Sequence, residues 1–163
     1  MPALRRIDPK KARDGVWFSV AAGSFSALSG PVDGELCVLV GRWHSQKHRA
    51  AKAKAYEPHM RDLQRGEMRA EVLERIEAEA MADAVLLGWA NLTEADETTP
   101  IVYSRDKAIE LLCDPAVYEF RQFVIDAANI HRSFAADAIA SAEGNSQPSL
   151  SGSSAEARTN GDS

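Results

Sequence analysis

Apolar positions change period part-way along the chain. After Gly15 the run Val16, Trp17, Phe18 and Val20 is rich in β-branched and aromatic residues, which favour a strand. Phe25 and Leu28 follow among Gly and Ser, and Pro31 with Asp33-Gly34 supplies turn chemistry. Leu36, Cys37, Val38, Leu39 and Val40 form the clearest strand. Residues 15–43 are therefore expected to make a β-hairpin or small antiparallel sheet, which needs a helix to pack on.

From His44 the pattern turns helical. Residues 44–56 are rich in Ala and Lys, good helix formers, with a thin apolar face at Ala51, Ala55 and Tyr56. Pro58 interrupts this helix or begins a new turn, and Gly66 stops it. A helix is predicted over 67–89. Its apolar stripe is Val72, Ile76, Ala80, Ala84 and Leu87, opposite Glu71, Glu74, Arg75, Glu77 and Glu79. A polar loop with Glu94, Asp96 and Glu97 leads to Pro100 and a short extended segment, Ile101–Tyr103. Ser104 suits an N-cap and Asp106 the first turn of a short helix that ends at Cys113-Asp114-Pro115. A final helix is expected to run through Val117, Phe120, Val124, Ala127, His131, Phe134 and Ala138, spaced alternately three and four apart. The fold expected is α+β: a flexible basic leader (1–14), a β-unit (15–43) in one domain with a helical part (44–141), and a disordered polar tail (142–163).

Composition changes this picture little: 45% of residues are apolar and 26% charged, ordinary for a globular chain. No apolar run approaches the length of a membrane span. The basic start lacks the apolar core of a secretory signal, so residence in a bacterial host cytoplasm and no membrane association are expected. Charge is unevenly spread. Residues 1–65 carry twelve Lys/Arg against six Asp/Glu, a net of +6, and residues 66–163 seven against eighteen, a net of −11. Such asymmetry suits an anionic partner for the first half or attraction between the halves. Cys37 and Cys113 are far apart and form no CxxC, and are read as reduced structural thiols.

No catalytic constellation emerges. His44 and His48 are four apart and His59 follows, but Ser45 stands where a zinc protease has Glu, and no further ligand falls at a suitable spacing. His131 lies on an apolar stripe without a nucleophile poised beside it. The glycines match neither a P-loop nor a dinucleotide fingerprint. The acidic loop lacks EF-hand spacing. The run Arg42–Lys54 is the one segment that could contact nucleic acid, but the chain is acidic overall and carries no recognition motif, which argues against that role. The chain is thus expected to have no cofactor, no metal and no enzymatic activity. The aromatic-rich stretch 85–134 remains. Trp89, Tyr103, Phe120, Phe123, Ile130 and Phe134 suit a core, and also suit anchors for a protein partner.

Three segments of that stretch, VLLGWANL, PIVYSRDKAIELLCDP and YEFRQFVIDAANIHRSF, resemble the C-terminal half of tail assembly chaperones of long-tailed phages and prophages. Gly88-Trp89, Pro100-Ile101, Tyr103-Ser104, Leu111-Leu112, Asp114-Pro115 and Phe120-Arg121-x-Phe123-Val124 follow in the family's order. Val102 departs from a common second Pro, and Thr98-Thr99 from a Gly-containing turn. The resemblance implies a non-enzymatic assembly factor. Such a factor binds the tape-measure protein, keeps it soluble, and helps recruit tail-tube subunits. A homo-oligomer is compatible with the wide apolar stripe. The alternatives are a structural tail component retained in the virion and a nucleic-acid-binding regulator using Arg42–Lys54.

Overall fold

The apolar runs around Phe18 and Val38 do pair, but the strand that completes their sheet comes from much further along the chain. In the computed structural model, which describes residues 5–21 and 23–136, β1 (Val16–Ser19) and β2 (Cys37–Val40) are antiparallel, with Val16 opposite Val40 and Phe18 opposite Val38. β3 (Leu86–Ala90) adds antiparallel to the other side of β2, with Val38 opposite Trp89 and Leu39 opposite Gly88. The order is β1-β2-β3, so β2 is central.

Among the described residues six α-helices accompany the sheet: α1 (Pro9–Asp14), α2 (Gln46–Tyr56), α3 (Met60–Gln64), α4 (Ala70–Ala84), α5 (Arg105–Cys113) and α6 (Tyr118–Ala128). α4 packs against both α2 and α5, and α6 packs against β2. Phe18, Val38, Val40, Leu86, Met81, Ile109, Val124 and Phe134 meet in one core. The architecture is α+β, a small antiparallel sheet with a predominantly helical remainder. The expected tail (142–163) and Ala138 lie outside the described residues.

Several local signals work as their chemistry dictates. Ser45 caps α2 by accepting from the His48 N–H, and Ser104 caps α5 by accepting from the Lys107 N–H. Pro58 occupies the first turn of a 3-10 segment, Glu57–His59, and Gly66 at φ 70° separates α3 from α4. Asp114 caps the 3-10 turn Pro115–Val117 that leads into α6.

Three expectations are corrected. The helix predicted over 67–89 is α4 followed by β3. Val85, at φ −119° and ψ −57°, leaves the helix, and Leu86-Leu87-Gly88-Trp89-Ala90 pairs with β2. Gly is a poor helix residue, and a central strand needs a partner on both sides. The tertiary demand therefore outweighs the continuity of the apolar stripe. The junction is tight: the Gly41 N–H donates to Val85 O at 2.8 Å, and a Cβ at Gly41 would stand 2.2 Å from Ala84 O.

The basic leader is not free over its described part. Asp8 caps α1 through the Lys10 N–H, Pro9 fills the first turn, and Gly15 at φ 92° ends it. The Asp8 N–H donates to Phe134 O at 2.8 Å, Ile7 bridges Ala135, and Ala12 is buried. The Asp8-Pro9 pair is a helix-start signal that the basic composition of the segment masks.

The last helix is shorter than its periodicity suggests. α6 stops at Ala128, where the Asn129 side-chain amide donates back to Ile125 O. Ile130 is extended, and His131–Phe134 is a separate 3-10 turn. Phe134 therefore reaches the core from a different direction and packs against Phe18 at 6.3 Å.

Candidate functional site

Where β3 leaves the sheet, an aromatic cluster forms. Trp89 is 8% exposed, and its indole N–H donates to Ile101 O at 2.7 Å. Tyr103 meets it edge-on at 4.8 Å and Phe120, from the start of α6, at 6.4 Å. The Tyr103 hydroxyl donates to Leu86 O at 2.8 Å. Burial, with Asp83 nearby, pushes the Tyr103 phenol above its ordinary pKa, so it is a neutral donor at physiological pH.

Trp89 and Tyr103 border a groove of about 780 Å³ that is also lined by Gly34, Leu36, Asn91, Leu92, Thr93, Glu97, Pro100, Ile101 and Val102. The loop above it is tied internally. Asp96 accepts from the Thr98 and Thr99 N–H groups at 2.9 Å and from the Thr99 hydroxyl, and its pKa falls to about 2, chiefly through the Thr99 hydroxyl. Thr93 bridges Pro100, and the Ile101 N–H donates to Leu92 O. Val102 then stands 80% exposed.

The six proposed anchors do not act as one surface. Trp89, Tyr103 and Phe120 come together. Phe123 turns the other way and stacks on Phe25 at 5.1 Å. Phe134 is fully buried beneath the Arg42 guanidinium, and Ile130 is half-buried beyond the end of α6. Trp89 and Phe134 thus serve the core, and only half-buried Tyr103, Phe120, Phe123 and Ile130 keep surface. The sequence reading missed Val102, Leu36 and Leu92 as groove residues. Their contribution depends on the loop closing back over β3, which no local pattern announces. Met60, Leu63 and Leu73, on α3 and the start of α4, are further exposed apolar side chains.

Other chemistry is accounted for locally. His48 is buried: its Nδ1 accepts from the His44 N–H at 2.9 Å and its ring lies 4.5 Å from Trp43. Among the described residues no three His, Cys, Asp or Glu side chains gather as a metal site. Cys37 and Cys113 are unpaired thiols, the first buried and the second half-buried, with the Cys113 pKa raised mainly by burial. A cavity of about 890 Å³ between α1 and α2 is lined by Arg13, Arg42, Trp43, Lys47 and Arg49, among others. Its cations are engaged: Arg13 with Asp14, Arg42 with Ala128 O, Lys47 with Arg13 O, and Arg49 with His44 O. Among the described residues no helix is long and apolar enough to cross a membrane.

A family model described as YdaY prophage protein matches residues 43–145. The chain belongs to the YdaY prophage protein family. No curated protein matches the chain, and no solved structure does. The YdaY match spans α2 through the end of α6 and includes β3, the acidic loop and the aromatic cluster. β1, β2 and α1 lie outside it, so the YdaY-family segment supplies only one of the three strands.

Proposed function

We propose that this prophage protein is a non-catalytic tail assembly chaperone that binds the tape-measure protein and helps recruit tail-tube subunits in the bacterial host cytoplasm. One observation carries the reading. The ordered series from Gly88-Trp89 to Phe120-Arg121-x-Phe123-Val124 lies wholly within the YdaY-matched segment, and its members bond to one another. Trp89 donates to Ile101 O, Ser104 caps α5, Asp114 caps the turn into α6, and Arg121 donates to Leu112 O at 3.1 Å. The series is therefore a scaffold, which fits a factor whose role is to present surface. Half-buried aromatics and the exposed Met60, Leu63 and Leu73 supply apolar surface for a client.

Co-expression with the tape-measure and tube proteins of the same prophage, followed by affinity purification, tests the reading. Co-purification with either is the expected result. A folded chain that retains neither overturns it. A stoichiometric band in purified particles would instead make the chain a structural component retained in the virion.

A second reading has one feature in its favour, the cavity with Arg13, Arg42, Lys47 and Arg49 in its wall. A nucleic-acid regulator would give a salt-dependent mobility shift with DNA or RNA. No shift at low salt removes it.

A further inference from the structure

We infer that the groove beside Val102 takes an extended, cationic segment of a partner protein, which adds to this edge as a strand. The inference rests on the protein-binding reading above and names the chemistry of one partner site.

The first reason is an unpaired backbone. The short ladder from Thr93–Pro100 ends at Leu92 and Ile101, because Asn91 takes a left-handed conformation at φ 66°. The Asn91 side-chain amide is anchored to Val32 O and Glu35 O. Past this break, neither the N–H nor the C=O of Val102 has a hydrogen-bond partner among the described residues. Val102 is also the most exposed large apolar side chain among them. An unpaired edge with an exposed β-branched residue is a template for strand addition.

The second reason is the adjoining groove. At about 780 Å³ it is in the size range of a binding pocket, and Leu36, Leu92, Ile101 and Tyr103 give it apolar walls over Trp89. Its floor is already set by the Trp89–Ile101 and Tyr103–Leu86 hydrogen bonds. An alternating strand places every second side chain on one face, so one apolar residue can enter the groove while its neighbours face outward.

The third reason is charge. No Lys or Arg lines the groove, Glu97 does, and Glu94 and Asp96 share its loop. Among the described residues neither Glu94 nor Glu97 is in a salt bridge. Lys or Arg in the outward positions of the incoming segment meets this rim. An acidic segment is repelled.

Selection of dodecapeptides from a random library on the immobilised full chain tests the inference, with affinities measured by fluorescence anisotropy. Enriched peptides are expected to alternate apolar residues with Lys or Arg. Val102→Pro removes the free N–H without breaking a bond inside the fold, and should weaken them roughly tenfold. Glu94→Lys with Glu97→Lys should reverse the charge preference, and unchanged melting curves would show that both variants fold. Failure to enrich any peptide, helical or acidic consensus sequences, or affinities insensitive to Val102→Pro would overturn the inference. Self-association of the wild-type chain that Val102→Pro abolishes would give the edge to a second copy and overturn it as well. The two readings fail separately. If wild type and both variants co-purify equally with tail proteins, the groove is not the site and the chaperone reading stands. If wild type captures no tail protein but binds the peptides through Val102, the chaperone reading falls alone.

Discussion

The indole N–H of Trp89 donates to the carbonyl oxygen of Ile101 at 2.7 Å, and this bond ties the last strand of the sheet to the return of the acidic loop. The two partners lie twelve positions apart along the chain. Everything between them, including the Asp96 turn, is held over the groove by this bond and by the Ile101–Leu92 backbone contact.

Trp89→Phe keeps most of the apolar bulk and deletes the donor, leaving Ile101 O unsatisfied. A loss of about 1–3 kcal/mol is expected from urea denaturation. Hydrogen exchange at the Ile101 amide should also quicken, while amides of β2 change only with global stability. A variant as stable as wild type would mean that water satisfies this carbonyl and that the bond does not hold the loop.

The two glycines Gly41 and Gly34 should respond differently to Ala. A Cβ at Gly41 would stand 2.2 Å from Ala84 O and 3.2 Å from Ala12 O, both backbone atoms that side-chain rotation cannot move. Gly41→Ala should cost about 3 kcal/mol, at the upper end of overpacking effects. Gly34, at φ 78° with nothing within 4 Å of its Cβ position, meets only the conformational penalty, about 1 kcal/mol. Thermal melts of the two variants give the order directly, and equal losses would refute the steric account.

Legibility tracked the range over which each signal acts. The caps at Ser104 and Asp114 satisfy backbone donors two or three residues away, so the sequence displays them whole, whereas the equally local cap at Ser45 is found only in the structure. The first two strands were legible as apolar runs, but β3 was not. Leu86 and Leu87 continue the apolar positions of α4, and only pairing with β2 some fifty residues earlier turns them into a strand. Phe134 likewise continues the helical stripe in sequence, while Asn129 ends the helix before it. The aromatic cluster was legible as a set of residues, but the division between core and surface was not. That division depends on which way the loop folds back.

The fork between Arg105 and Asp83 joins the start of α5 to the end of α4, with the guanidinium Nη2 3.1 Å from Oδ2. The hydrogen bond to Asp83 raises the Arg105 pKa, so this cation stays charged throughout any practical range. Both side chains remain partly exposed, so the pair is expected to contribute little: a double-mutant cycle with Asp83→Ala and Arg105→Ala should give a coupling of about 0.5–1 kcal/mol. The coupling should shrink at high salt. A coupling above about 2 kcal/mol would instead assign the pair to the core's own stability.

The most direct pH test concerns His48. Its pKa is lowered from 6.5 to about 4, first by burial and then by Lys52 and His44, with Glu77 acting weakly the other way. Nδ1 accepts from the His44 N–H, which assigns the ring proton to Nε2, and Nε2 has no partner among the described residues. Below pH 6.5 the unfolded chain takes up a proton at this residue that the folded chain refuses until about pH 4. Stability therefore falls as pH drops through this window, and is flat with respect to His48 above and below it. The expected loss across the window is on the order of 3 kcal/mol. His48→Phe removes the titration and also the acceptor for the His44 N–H, so it starts from a lower stability. The difference between the two stability curves isolates the histidine, because the carboxylates and His44 are common to both chains. A difference that narrows by about the expected amount between pH 6.5 and 4 supports a neutral, buried His48. A constant difference would mean that the folded chain takes up the proton as readily as the unfolded one, with water or Glu77 reaching Nε2.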